Sequence, residues 1–120
     1  MHAGGDIILT QVAQVIAANA REVDLVARWG GEEFAIIFPD TTQVQAAKIL
    51  ERIRLMVEQL AIPEVSDDAR VTVSIGLVSS QSAMNSDAQQ LLKLTDRMLY
   101  QAKKSGRNRL SIYQADNTNG

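Results

Sequence analysis

The chain has 120 residues, 46% hydrophobic and 22% charged, a profile that fits one globular domain and excludes a disordered tail or a repeat array. A formal charge of −2 leaves no global positive field to hold a polyanion, so general nucleic-acid binding is not expected. No apolar run approaches the ~18 residues needed to span a bilayer. Met1 to Asp6 does not read as a signal peptide, and the absence of cysteine removes disulfide and thiolate chemistry, which is compatible with a reducing cytoplasm.

In chain order, Ile8, Val12, Val15 and Ile16 recur at helical spacing and predict a first helix over Gly5 to Asn19. Val23 to Arg28 carries apolar residues at alternate positions, and Glu33 to Phe38 is rich in β-favouring residues. Gly30 and Gly31 between them predict a hairpin, because a tight turn needs positive φ, which glycine reaches without steric cost. Pro39 to Thr42 ends that hairpin and supplies cap residues for a helix over Gln43 to Ala61, whose apolar stripe is Ala46, Leu50, Ile53, Val57 and Leu60. Val71 to Val78 alternates apolar and small polar residues and predicts a half-buried strand. A last helix is predicted from Asp87 to about Ser105, with Gly106 as its C-cap, followed by a short strand over Arg109 to Tyr113. The order helix, strand, strand, helix, strand, helix, strand fits an α+β sandwich with helices against a sheet.

Three groups of residues invite chemistry. Arg28-Trp29-Gly30-Gly31-Glu32-Glu33-Phe34 puts two adjacent carboxylates beside a glycine bend, where a ligand could approach the backbone and a hard cation could find oxygen donors. Taken alone, that string reads more simply as a solvated hairpin tip. Lys103, Lys104, Arg107 and Arg109 crowd into seven residues; by themselves they are cations that complement the dipole at a helix C-terminus. Arg21-Glu22-Val23-Asp24 is, as a bare string, a salt-bridged strand entry, and Asp6 a helix-start acid.

The flanks of these groups carry a resemblance. Gly30 to Phe34 resembles the GGDEF signature in its Gly-Gly-Glu-Glu-Phe form, His2 to Asp6 is similar to the family's Gly-His-x-x-Gly-Asp segment, and Val73-Ser74-Ile75-Gly76 to its Ser-Ile-Gly strand. Asp96, Met98 to Lys103 and Gly106-Arg107-Asn108 resemble its closing segment. Agreement at four places in order identifies the chain as a member of the GGDEF family, the catalytic module of diguanylate cyclases.

The resemblance implies an α+β nucleotidyl cyclase-like fold, an antiparallel-containing central sheet with helices packed on it. It implies condensation of two GTP molecules into cyclic di-GMP, with Mg²⁺ as cofactor and a homodimer presenting one GTP to the other. Glu32 would be a catalytic residue and Mg²⁺ ligand, and Glu33 a second catalytic participant, in metal binding or in organising the site. Gly30 and Gly31 would offer backbone to the nucleotide, Asp6 would accept from guanine, and Lys103 and Arg107 would meet the phosphates. Arg21 and Asp24, with Arg52 as a further contact, resemble the family's product-inhibitory site for cyclic di-GMP. Lys104 and Arg109 are left as ordinary surface charges. The alternative is a cyclic di-GMP-binding module without turnover.

Against the family pattern, residues 1–115 read as one domain lacking its first strand and helix, with 116–120 as a frayed tail. The Asp-x-Asp strand and its metal carboxylate are not among these residues, and Met1 stands where the family has glycine. That strand is central in the family's sheet, so this chain alone is expected to be inactive, and to be marginally folded, rearranged or completed by another chain.

Overall fold

The structure is a computed structural model and describes residues 3–30, 33–83 and 86–114. Among these residues seven elements follow in the predicted order: α1 (Ala3–Asn19), β1 (Leu25–Gly30), β2 (Glu33–Ile37), α2 (Gln43–Glu58), β3 (Ile75–Leu77), α3 (Ala88–Lys104) and β4 (Leu110–Ile112). The α+β class expected from the sequence is present.

α2 organises the packing. Its predicted stripe is buried at Ala46, Leu50, Ile53 and Val57, the last with no exposure at all. From α1, Val12, Val15 and Ile16 close on that stripe, and Leu77 of β3 completes the buried cluster. Phe34, Ile36 and Phe38 carry the hairpin onto the same core, while Leu110 and Ile112 bring in β4. α3 buries Met98 and Ala102.

The helix starts follow from local chemistry. Thr42 caps α2: its hydroxyl accepts from Gln45 N–H at 3.1 Å, while the Gln45 side chain accepts from Thr42 N–H at 3.1 Å. Asp87 and Gln90 repeat this capping box at the start of α3, at 2.8 and 2.9 Å. Each box satisfies two of the backbone donors that a helix start leaves without partners. At the end of α3, Ser105 is the cap, Gly106 has φ 130°, and Arg107 N–H donates to Ala102 O at 2.9 Å, the long bond of a Schellman turn.

Boundaries differ from expectation at several elements: α1 starts at Ala3, two residues early, β1 runs on to Gly30, β2 and β4 are a residue shorter at their ends, and Ser105, not Gly106, caps α3. β1 begins at Leu25 and not at Val23, which is 65% exposed ahead of the strand. α2 stops at Glu58, with Gln59 as its cap, short of the predicted Ala61. The strand predicted over Val71 to Val78 shrinks to Ile75–Leu77, because its parallel partner β4 offers only Leu110–Ile112 for pairing. Val71 and Val73 still pack on the core, so their alternation reports burial without a hydrogen-bonded ladder.

Among the described residues the strands form two two-stranded sheets, antiparallel β1-β2 and parallel β3-β4. Among the same residues no hydrogen-bonded ladder joins them. The predicted frayed tail at 116–120 lies outside the described residues. Among the described residues no helix is long and apolar enough to cross a membrane.

Gly76 marks the tightest contact between β3 and α3. A Cβ there would lie 2.4 Å from Leu99 N and 2.6 Å from Thr95 O, both backbone atoms of α3. Gly76→Ala is therefore expected to destabilise the fold by about 1–3 kcal/mol, the scale of overpacking a fitted contact. Gly5→Ala, with nothing within 4 Å of its Cβ, is expected to be neutral or stabilising by about 0.5–1 kcal/mol. Urea unfolding of the two variants beside the parent chain checks both.

Candidate functional site

The glycine-bearing hairpin is in register from Leu25↔Ile37 to Arg28↔Phe34, then shifts so that Gly30 pairs with Glu33. The shift is the irregularity expected where a tight bend closes a twisted two-strand ribbon. Gly31 and Glu32, the latter the expected metal ligand, fall between these partners and lie outside the described residues. Glu33, at the first position of β2, extends its carboxylate to within 3.6 Å of Lys103 Nζ in the last turn of α3. Two expected site residues are thus adjacent in space, although 70 positions apart. Both side chains are about two-fifths exposed, 39% for Lys103 and 43% for Glu33, so the pair contributes only ~0–1 kcal/mol to stability.

Beyond Lys103 the chain turns sharply. Arg107 (φ 62°) and Asn108 (φ 47°) are consecutive non-glycine residues in the left-handed region. Such a backbone costs roughly 1–2 kcal/mol for an ordinary side chain and less for asparagine. The Arg107 side chain is exposed, and its carbonyl accepts from Arg109 Nε at 3.0 Å. Arg109, expected to be an ordinary surface charge, therefore braces the turn. Lys104 sits over the Tyr100 ring, 5.8 Å from its centroid.

A polar network from α2 reaches the same turn. Arg54 Nη1 donates to Asn108 Oδ1 at 2.9 Å, and Asn108 Nδ2 donates to Glu58 Oε2. Arg54 Nε is held by both Glu51 oxygens at 3.0 and 3.1 Å. Hydrogen bonding to Arg54 holds the Glu51 carboxyl below the usual range, and the same contact raises the Arg54 guanidinium further. Glu51 and Glu58 read in the sequence as residues off the apolar stripe. Their i, i+3 and i+4 spacing from Arg54 was a legible signal, but the bond to Asn108 across 50 residues or more was not.

Asp6 is in the first turn of α1, exposed, and makes no side-chain hydrogen bond or ion pair among the described residues. Among the described residues no hydrogen bond or ion pair joins it to the hairpin or to Lys103 and Arg107.

Arg21 and Asp24 do come together. Arg21 Nη2 donates to Asp24 Oδ1 at 2.7 Å, Nε reaches both carboxylate oxygens at 3.1 Å, and Arg21 N–H adds a bond to Oδ2 at 2.7 Å. The Asp24 side chain is wholly covered by this embrace, while Arg21 remains 42% exposed. Thr41 Oγ1 takes a further Arg21 bond at 2.5 Å and itself donates to Pro39 O at 2.7 Å. In the sequence Thr41 reads only as part of the Pro39 to Thr42 end of the hairpin, and nothing local signals a partner 20 positions away. Arg52 is not joined to Arg21 or Asp24: its Nε donates to Asn19 Oδ1 at 2.9 Å, at the end of α1 two residues before Arg21.

The described carboxylates do not by themselves compose a magnesium site. Glu33 lies against Lys103, and no group of three or more potential metal-ligating side chains occurs among the described residues.

What the fold and site define is a mixed α and β module in which a two-stranded hairpin reaches the basic end of a helix through one ion pair. Residues 2–109 match the family model described as Diguanylate cyclase, GGDEF domain, and the chain belongs to that family. It is 40% identical over 111 residues to Diguanylate cyclase A of Treponema denticola, covering 92% of this chain and 30% of that protein. The GGDEF domain of DgcB from Caulobacter crescentus, solved in complex with c-di-GMP, superposes with a TM-score of 0.82 at 33% identity, covering 92% of this chain and 66% of that one. The active GGEEF domain of a diguanylate cyclase from Vibrio cholerae gives 0.79 at 26% identity, covering 96% and 72%. The chain spans less than a third of the length of the curated relatives it matches.

Hydrogen bonding to Arg21 holds the Asp24 carboxyl below its ordinary value. A carboxylate depressed in the folded state stabilises that state above its unfolded pKa, and the contribution is lost as pH falls through the folded value. In Arg21→Ala, the Asp24 carboxyl midpoint read by NMR titration should therefore rise toward the ordinary range; an unchanged midpoint would mean that the pair is absent in solution.

Proposed function

We propose that this chain is the catalytic module of a diguanylate cyclase, which joins two GTP molecules into cyclic di-GMP. Each ribose 3′-oxygen forms a bond to the α-phosphorus of the other nucleotide, the bond from that phosphorus to the β-phosphate oxygen breaks, and two pyrophosphates leave with the protons passing to solvent. Such a reaction depends on in-line positioning and on offsetting charge on the leaving pyrophosphate. Family membership supports the reading, and one geometric observation carries it for this chain: the signature hairpin meets the cationic end of α3 through Glu33 and Lys103.

In this reading, Lys103 exchanges the Glu33 carboxylate for phosphate oxygens. The exchange is easy because an exposed ion pair is weak, whereas a charge-assisted bond to a polyphosphate is stronger. Arg107 adds a second cation from the turn just past the end of α3, the backbone of Gly30 and Gly31 lies close to the nucleotide, and Asp6 accepts from guanine. Glu33 keeps Lys103 at the hairpin until substrate arrives. Mg²⁺ is the inferred cofactor, with Glu32 as the ligand this chain would offer; when bound it would neutralise charge on the leaving group. Catalysis is proposed to require a homodimer, since each active site holds one of the two GTP molecules.

Arg21 and Asp24 are proposed as the product-inhibitory site. In the closed pair, the Arg21 fork is already satisfied by Asp24, so cyclic di-GMP must displace a bidentate contact before it is bound. Arg52 is proposed as a further contact, reached only if it leaves Asn19. The c-di-GMP bound by the Caulobacter domain is in keeping with such a ligand.

Supplying the full-length protein with GTP and Mg²⁺ and separating the products by chromatography tests the proposal. Cyclic di-GMP should form, and Glu32→Ala should lower the rate on the order of 100-fold or more, the scale of losing a transition-state charge contact. Calorimetry with cyclic di-GMP should show binding that weakens at least tenfold, ~1.4 kcal/mol, in Arg21→Ala. Binding without turnover would replace this reading with that of a cyclic di-GMP sensor.

A further inference from the structure

We propose that Arg54 and Glu58 of α2, acting through Asn108, form a clamp that positions Arg107 for the terminal phosphates of the bound nucleotide. The inference rests on the reading of Arg107 as a phosphate contact and adds three residues to which that reading gives no role.

Arg107 has a backbone it would not choose alone. Left-handed φ is unfavourable for an arginine, and asparagine tolerates it better because its short amide can bond locally. Here the Asn108 amide bonds not locally but to α2, and both of its ends are used. Oδ1 accepts from Arg54 and Nδ2 donates to Glu58, while the Asn108 carbonyl accepts a second, longer Arg54 bond at 3.4 Å. A flipped amide would set donor against donor and acceptor against carboxylate, so the pairing permits one orientation.

The clamp is itself rigid. Arg54 is 85% covered, its remaining edge is held by Glu51, and it flanks the buried stripe of the same helix, one turn from both Leu50 and Val57. A surface arginine at a loop would ordinarily lose rotamer and backbone freedom on meeting a phosphate. With Asn108 fixed on one side and the Arg107 N–H held by Ala102 on the other, the backbone part of that loss has already been met in folding. The exposed Arg107 side chain starts from a fixed point. None of the three clamp residues needs to touch the nucleotide, and they are positioning residues in this sense.

The test compares an α,β-methylene analogue of GTP with GMP, which lacks the terminal phosphates, by calorimetry on the full-length protein. Asn108→Ala should weaken the triphosphate analogue about 3- to 10-fold, part of one charge-assisted contact, while GMP affinity stays within error. The reversed pair Asn108→Asp with Glu58→Gln exchanges donor for acceptor, keeps a left-handed-tolerant residue, and should restore the triphosphate affinity. Equal loss for both ligands, no loss for either, or failure of the double variant to restore affinity would overturn the clamp and leave a purely structural tie. Arg107→Ala, run alongside, separates the two levels of inference. If it leaves the preference for triphosphate over GMP unchanged, the phosphate reading falls and the clamp with it; if it removes the preference while Asn108→Ala does not, the clamp alone falls.

Discussion

Burial of the α2 stripe is the constraint from which the other contacts follow. Ala46, Leu50, Ile53 and Val57 are covered by α1 from one side and by Leu77 and the hairpin aromatics from others. A fully buried branched side chain in such a cluster is worth ~1.5–3 kcal/mol. With α2 so anchored, its two ends become fixed reference points. At its start, Thr41 next to the capping Thr42 receives Arg21; toward its end, Arg54 and Glu58 hold the turn after α3. Two basic regions of separate proposed roles are thus measured from one helix.

The charged groups in these regions differ in how firmly they are held, and the difference tracks exposure. Lys103 and Glu33 share a partly open ion pair that water and salt can weaken, which suits the proposed transfer of the Lys103 charge to a phosphate. Arg54 is nearly covered and satisfied along both edges, so releasing it would leave charge without solvent or partner. Arg21 stands between them: its own surface is open, but its Asp24 partner is wholly covered by the contact. A ligand seeking Arg21 must therefore meet the needs of Asp24 as well, and a guanine edge, with donors for a carboxylate, is chemistry of that kind.

The sheet is divided where the sequence is most regular. Val71 to Val78 alternates as a strand should, yet only three residues pair, because alternation records which side chains reach the core and not whether a neighbour supplies carbonyls and amides. Gly76 locates this region tightly against α3, where the backbone of Thr95 to Leu99 leaves no room for a Cβ. Packing, more than ladder hydrogen bonds, holds β3 in place.

By itself the sequence determined the order and kind of all seven elements, since helix and strand periodicities, caps and glycine bends are encoded by residues within a few positions of one another. Family motifs in the chain likewise named Arg21 with Asp24, and Lys103 with Arg107, because each pair is local along the backbone. Only the tertiary structure decided that Glu33 meets Lys103, that Thr41 holds Arg21, that Arg52 turns to Asn19, and that Asn108 is gripped by α2. These contacts join residues 20 to 70 positions apart, and no periodicity carries information over such a span; it arises when buried stripes bring distant polar groups into hydrogen-bonding range.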